Sequence, residues 1–298
     1  MTFWPSRYFR HGMARFSVVR DILAHPLTTG SKTKTLLDYI SWNLARRTTN
    51  HKAVLQLPND LQIIVPNQSN FATGLYLHQL YDFSNMGFFC HFLRADDLLL
   101  DIGANVGVYG LLSAKSTGCR VIACEPAPDT FRTLSDNVRL NRLDDRIELH
   151  RIAAGDAEGT LTLSVGKHGL NHVVRGDGTT VPQRRLDDII GDRVPHALKL
   201  DVEGYEMHVL RGAPRILANP EFKVVMVEIN GLIERYGESV EGIRTHLRSY
   251  GFSAVAYDPV ARTLAPGGQL DEMFVRDLDF VRERVRNAPP FELFGRRY

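Results

Sequence analysis

The residues best placed to do chemistry are carboxylates at the ends of short apolar runs. Asp101 sits inside Leu98-Leu99-Leu100-Asp101-Ile102, and the turn Gly103-Ala104-Asn105-Val106-Gly107 follows at once. Glu125 closes a second run, residues 121–124, and lies 24 positions after Asp101. Asp201 and Glu203 follow a third run at 196–200, Glu228 falls at the end of a fourth at 223–229, and Lys199 stands two residues before Asp201. A glycine turn that leads into a helix lets backbone approach a ligand closely and leaves free N–H groups facing it. An acid about 20 residues further on, at the end of the next strand, is placed to accept ribose hydroxyls. Gly103, Asn105 and Gly107 are therefore expected to shape a nucleoside site, and Glu125 to bind the ribose. Asp101 is expected to hold an amino acid portion, directly or through water. Ala153 and Ala154 follow a further strand and are small enough to leave room for a flat base.

The turn lacks the G-x-G-x-x-G spacing of dinucleotide sites. It also begins at an acid, which would repel a pyrophosphate but not a zwitterionic amino acid carrying a sulfonium. Both features favour S-adenosylmethionine over a nicotinamide dinucleotide. Methyl transfer from that donor is a direct displacement, in which orientation of the acceptor supplies much of the acceleration. A hydroxyl acceptor is a poor nucleophile and gains from a general base or a metal. Three readings of the acidic cluster stand side by side. Asp201 or Glu203, with Lys199 beside them, acts catalytically; or Asp201, Glu203 and Glu228 hold a divalent cation such as magnesium or manganese; or the acids cap the next helix and pair with Lys199. His168 and His172, in a glycine-bearing loop, add two further candidate bases.

These residues need a scaffold that brings strand ends together. From residue 97 onward, buried-type strands alternate with helices: strands at 98–102, 120–124, 147–152, 196–200 and 223–229, with helices at 106–116, 128–141, 206–217 and 240–250. Pro214 is expected to kink or end the third of those helices. An extra strand at 160–165 and late strands at 253–257 and 273–275 complete the reading. Such alternation implies an α/β fold with a parallel sheet and helices on both faces. Before residue 95 the pattern differs, with a helix at 34–47, strands at 53–57 and 61–65, and an aromatic stretch at 71–92 expected to serve as core, acceptor pocket or subunit interface.

The segment DIGANVG at 101–107 resembles motif I of class I methyltransferases, and more narrowly the FkbM family. The same family is echoed in VIACEP at 121–126, in LDD at 186–188, in LKLDVEGYE at 198–206 continuing to VLRGA at 209–213, and in the run at 225–229 ending in Glu228-Ile229. The resemblance is good over about residues 95–230. It implies a Rossmann-like class I fold with a seven-stranded, mostly parallel sheet whose last strand is inserted antiparallel. It also implies S-adenosylmethionine as methyl donor and hydroxyls of sugars, glycans or polyketide-like small molecules as acceptors. The division that follows is an N-terminal α+β extension (1–95), a methyltransferase domain (96–282) and a basic C-terminal tail (283–298). An N-methyltransferase and a catalytically inactive nucleoside-binding module are the alternatives.

Composition narrows the partners. With 36 basic and 34 acidic residues the chain is nearly balanced, which argues against a nucleic acid substrate. Three cysteines, none at a CxxC spacing, suit neither a disulfide framework nor zinc. No apolar run reaches the ~20 residues needed to cross a bilayer, so a cytoplasmic protein is expected. Residues 1–20 carry four arginines and five aromatic residues with no acid, and peripheral contact with a membrane is a second expectation.

Overall fold

The computed structural model describes residues 15–28, 32–48, 52–66, 69–164, 172–174, 176–229, 232–267 and 271–298. Most of the basic aromatic segment, residues 1–14, and the candidate base His168 lie outside the described residues. The chain opens with helices α1 (Arg15–Ala24) and α2 (Lys32–Thr48), the hairpin β1 (Lys52–Leu57) and β2 (Leu61–Pro66), and helices α3 (Asn70–His78) and α4 (Phe83–Phe92). The alternating region follows: β3 (Leu98–Ile102), α5 (Val108–Thr117), β4 (Arg120–Cys124), α6 (Pro128–Leu140) and β5 (Ile147–His150). A small inserted sheet comes next, made of β6 (Ala153–Gly155), β7 (Gly159–Leu163) and β8 (Thr179–Arg185), then α7 (Leu186–Ile190). The remainder is β9 (Ala197–Leu200), α8 (Glu206–Arg211), α9 (Pro214–Ala218), β10 (Val224–Glu228), α10 (Val240–Ser249), β11 (Ser253–Asp258), β12 (Thr263–Pro266), β13 (Asp271–Val275), α11 (Leu278–Arg286), and the short pair β14 (Glu292–Leu293) and β15 (Arg296–Arg297). Pro214 does end the expected 206–217 helix; a second helix starts on it, where a proline lacks no needed N–H.

The main sheet runs β12-β11-β13-β10-β9-β3-β4-β5. Strands β5, β4, β3, β9 and β10 are parallel, and β13 is antiparallel to both β10 and β11. Seven strands thus stand in the expected arrangement, with the last inserted antiparallel. The expected count of seven is corrected to eight, because β12 folds back on β11 as an antiparallel hairpin at the sheet edge. The strands are apolar on both faces, as a doubly covered sheet requires. Leu99, Val121, Ala197 and Met226 enter one core, with residues of α4, α5, α6 and the N-terminal hairpin. Leu100, Ile122, Leu198 and Val225 enter the other, with residues of α7 to α10.

From β3 the chain steps outward through β4 to β5, then returns past β3 to β9. The order reverses between β3 and β9, where ligands of open α/β sheets sit. The N-terminal hairpin is clamped to this framework by α6. Asn137 and Asn141 each exchange hydrogen bonds with the β2 backbone, at Ile64 and Gln62 respectively. Asn137 also donates to the Val106 carbonyl at 2.8 Å, tying the hairpin to the glycine turn. At the other end, Tyr298 packs edge-on against Phe83 and stacks on Phe291, so the last residues rest on α4.

Candidate active site

A cavity partly open to solvent lies over the carboxyl ends of β3, β4 and β9. Gly103, Asn105 and Glu125 line it, as do Asp201 and Glu203 beyond β9, and Ala153, Ala154, Leu161, Leu163 and His172 from the inserted sheet and its loop. Five of the residues singled out as nucleoside-binding therefore share one wall system.

The glycine turn is fixed on both sides. Gly103 and Ala104 N–H groups donate to the Cys124 carbonyl, and the Asp201 N–H donates to the Ile102 carbonyl. Gly103 has φ +74°, and a Cβ there would meet the Asp201 carbonyl at 1.7 Å. The close approach that demands glycine is thus between the ends of β3 and β9. Gly107, at φ +92°, is hemmed in by Leu111 and Leu134 and starts α5 beneath the cavity. Asn105 adopts φ +52°, a left-handed conformation that asparagine tolerates better than most residues.

Glu125 is nearly buried, and its two oxygens take different backbone partners. Oε2 accepts from the Asn105 N–H at 3.0 Å and Oε1 from the Ala127 N–H at 2.9 Å. Burial pushes its carboxyl up to about 7, against the pull of those two N–H groups. Each carboxylate oxygen retains acceptor capacity toward the cavity.

Asp101 lies below the cavity, fully buried and outside its lining. Its Oδ2 accepts from the Gly110 N–H at 2.9 Å, which secures the first turn of α5. Lys199, equally buried, binds the corner together. Its ammonium donates to the Gly103 carbonyl at 2.8 Å and lies 3.2 Å from Asp201 and 3.7 Å from Asp101. Burial alone would lower this ammonium, but Asp201 and Asp101 hold it up at about 12.

Beyond β9 the chain turns through residues 201–205. Glu206 Oε1 accepts from the N–H groups of Val202 and Gly204, at 3.1 and 3.0 Å, and so caps α8 from within its own first turn. Glu203 is forced to φ +56°, and its carboxyl is pushed up to about 8 by burial, then by Asp201 and Glu206. Carboxylate oxygens of Asp201, Glu203 and Glu228 come within 4.8 Å of one another. Of the three, Asp201 and Glu203 reach the cavity lining. All three expected acids are brought together, and Lys199 stands behind them as a fixed counter-charge.

The family model for the methyltransferase FkbM domain matches residues 101–254, more than half of the chain. The chain belongs to the FkbM methyltransferase family. The hexuronic acid methyltransferase AglP of Haloferax volcanii is 29% identical over 145 residues, covering 47% of this chain and 58% of that protein. The 31-O-demethyl-FK506 methyltransferase FkbM of Streptomyces tacrolimicus is 29% identical over 208 residues, covering 56% of this chain and 77% of its own. A solved FkbM methyltransferase from Methylobacillus flagellatus superposes over 81% of this chain and 59% of its own at 16% identity, with a TM-score of 0.43. The chain spans less than two thirds of the length of AglP.

The matched FkbM span begins at Asp101 and includes every residue that lines the cavity. Around it stand groups the sequence reading did not single out. Tyr205 lines the cavity and stacks on His208 with ring centroids 4.2 Å apart, and Asp156 holds His208 Nδ1 at 2.7 Å. Tyr236 meets Tyr205 edge-on and donates its hydroxyl to the Val173 carbonyl at 2.8 Å. These contacts tie the strand-end loop to the inserted sheet. Only the adjacency of Tyr205 to the DVEG run hinted at them. His172, a candidate base by sequence, lines the cavity next to the Ser164 hydroxyl.

Proposed function

We propose that the chain transfers the methyl group of S-adenosylmethionine to a hydroxyl of a sugar, glycan or polyketide-like small molecule. The observation that carries this reading is the placing of Glu125 and Asp201 in one cavity at the switch point of the sheet. The residues present fit the methyl donor. Glu125 has a held geometry and spare acceptor capacity for a ribose diol. Ala153, Ala154, Leu161 and Leu163 offer small and apolar surface for adenine. The turn from Gly103 to Asn105 presents backbone to the amino acid portion, while Asp101 and Lys199 brace it from beneath.

When bound, the donor supplies a methyl carbon already activated by positive sulfur. The protein's part is then to hold an acceptor oxygen in line and to receive its proton. Asp201 takes that proton: its carboxylate is about a third exposed, lines the cavity and has the Lys199 ammonium 3.2 Å away. Glu203, with its carboxyl pushed up to about 8, holds its own proton at neutral pH and is suited to donate a hydrogen bond to the acceptor. Of the two relatives, the 31-O-demethyl-FK506 methyltransferase supports an oxygen acceptor, and the hexuronic acid methyltransferase a sugar-derived one.

The first experiment is calorimetric titration of S-adenosylmethionine and S-adenosylhomocysteine into the wild type and Glu125→Ala. Micromolar binding that is lost in the variant is the expected result. No binding by a folded wild type would overturn the reading. Methyl-donor binding without transfer to hexuronic acids or other hydroxylated acceptors would favour a binding module instead.

A further inference from the structure

Helix α2 buries one side and leaves another bare. Trp42 is buried, donates its indole N–H to Thr73 and stacks on Tyr76. Leu37, Ile40 and Leu44 are 60%, 55% and 63% exposed. Their i, i+3, i+7 spacing puts them on one stripe. At about 100° per residue that stripe is diametrically opposite Trp42. Three large aliphatic side chains in line on a solvent face are an interaction surface more often than an accident.

The charge around the stripe says what it meets. Residues 1–48 hold eight basic residues and two acidic ones, whereas the remaining 250 residues hold 28 and 32. The positive charge of the whole chain is concentrated at this end, against an acidic remainder. On the helical wheel Arg47 and Lys34 fall on the two flanks of the stripe, Lys34 paired with Asp38 at 2.6 Å. A second copy of the chain would bring the same positive charges against these. Residues 1–14, with Arg7 and Arg10 and no acid, would do so as well. A nucleic acid would match the charge but leave the leucines uncovered. No helix among the described residues is long and apolar enough to cross a membrane. An interfacial helix needs what is present: an aliphatic stripe edged by lysine and arginine.

We propose that α2 lies flat on an anionic lipid bilayer, with Leu37, Ile40 and Leu44 in the acyl boundary and the flanking cations among the headgroups. The surface is remote in sequence from the cavity residues and independent of the methyl-transfer reading. The test is co-sedimentation of the full chain with vesicles of phosphatidylcholine containing three parts in ten phosphatidylglycerol, and with phosphatidylcholine alone. Binding to the anionic vesicles is expected, weakening as salt is raised. Leu37→Ser combined with Leu44→Ser should weaken it by about tenfold or more. Both positions are exposed, so an unchanged melting temperature reports that the variant is folded. Lys34→Gln with Arg47→Gln should weaken binding to anionic vesicles by about tenfold. Absence of wild-type binding, or equal binding by the serine variant, overturns the proposal. So does a wild-type dimer that the serine variant abolishes, which would make the stripe a contact between copies.

Discussion

Two corners of the cavity present a carboxylate by different means. Glu125, beyond β4, is held by two neutral backbone N–H groups. Asp201, beyond β9, is held beside a buried ammonium that also grips the Gly103 carbonyl. The first arrangement fixes where the carboxylate points and leaves its charge poorly compensated, so burial raises its carboxyl to about 7. The second fixes charge as well as place. A group that must only accept two hydroxyls needs direction; one that must take a proton beside a developing positive oxygen needs a stable negative charge. On the proposed reading, the β4 corner binds the methyl donor and the β9 corner handles the proton.

The contrast breaks most visibly at Asp201. Asp201→Asn keeps the shape and removes the proton acceptor, and turnover should fall by about 10²- to 10⁴-fold. Affinity for S-adenosylmethionine should change little. Stopped turnover with intact calorimetric binding separates the two corners, and loss of both together would merge them. Next in size is Lys199→Met. It leaves Asp101 buried without its ammonium, and breaking a buried pair costs about 3–5 kcal/mol. Chemical denaturation should show that loss, and both corners should loosen because Gly103 and Asp201 share the lysine. A variant as stable as wild type would mean that Lys199 holds nothing together.

Glu125→Gln should have a smaller effect. The amide oxygen still accepts one backbone N–H, but the amide nitrogen faces the other, and the charged acceptor for the ribose is gone. Methyl-donor affinity should fall by about 2 kcal/mol, the scale of a hydrogen bond to a charged group, with the turnover of saturated enzyme nearly kept. Calorimetry and saturation kinetics together check this.

Much of this arrangement was legible in the sequence because strand ends are. Apolar runs of four or five residues followed by Gly103 or by Glu125 fix both a strand and what stands at its edge. The 3.6-residue pattern of residues 128–140 and 240–249 fixed two amphipathic helices within a residue or so. The inserted sheet was harder. Of its strands, β7 alternates and was expected, whereas β8 reads Thr-Thr-Val-Pro-Gln-Arg-Arg and is polar enough to pass for loop. Strand β12 carries a proline and only four residues, and it is stabilised by pairing with β11 alone. At the site, residue types announced Glu125 and the DVEG acids. What spacing could not convey is depth. Asp101 is one residue from the end of β3, yet it points beneath the sheet edge into α5, because alternation along the strand turns Ile102 and Asp101 to opposite faces. The stacking of Tyr205 on His208 joins the first turn of α8 to a distant aspartate, and no local pattern encodes Asp156.

The finest comparison between the corners is their response to pH. Burial raises the carboxyls of Glu125 and Glu206 to about 7 and that of Glu203 to about 8, from an unfolded value of 4.5. The folded chain therefore binds more protons than the unfolded chain between about pH 4.5 and 8. Stability from these groups is full below pH 4.5 and is lost as pH rises through 7 and then 8. Of these three, Glu203 titrates last. Glu203→Gln mimics the protonated side chain, so its melting temperature should match wild type near pH 6 and exceed it near pH 8.5. The offset between Glu125→Gln and wild type should begin to change earlier, around pH 7. Because Glu203 also sits at φ +56°, neither version relieves the backbone, and the difference between them reports the proton alone. Melting curves that run parallel for wild type and both variants from pH 5.5 to 8.5 would mean that solvent reaches both corners equally. The division between a backbone-held carboxylate and a charge-held acid loop would then lose its electrostatic basis.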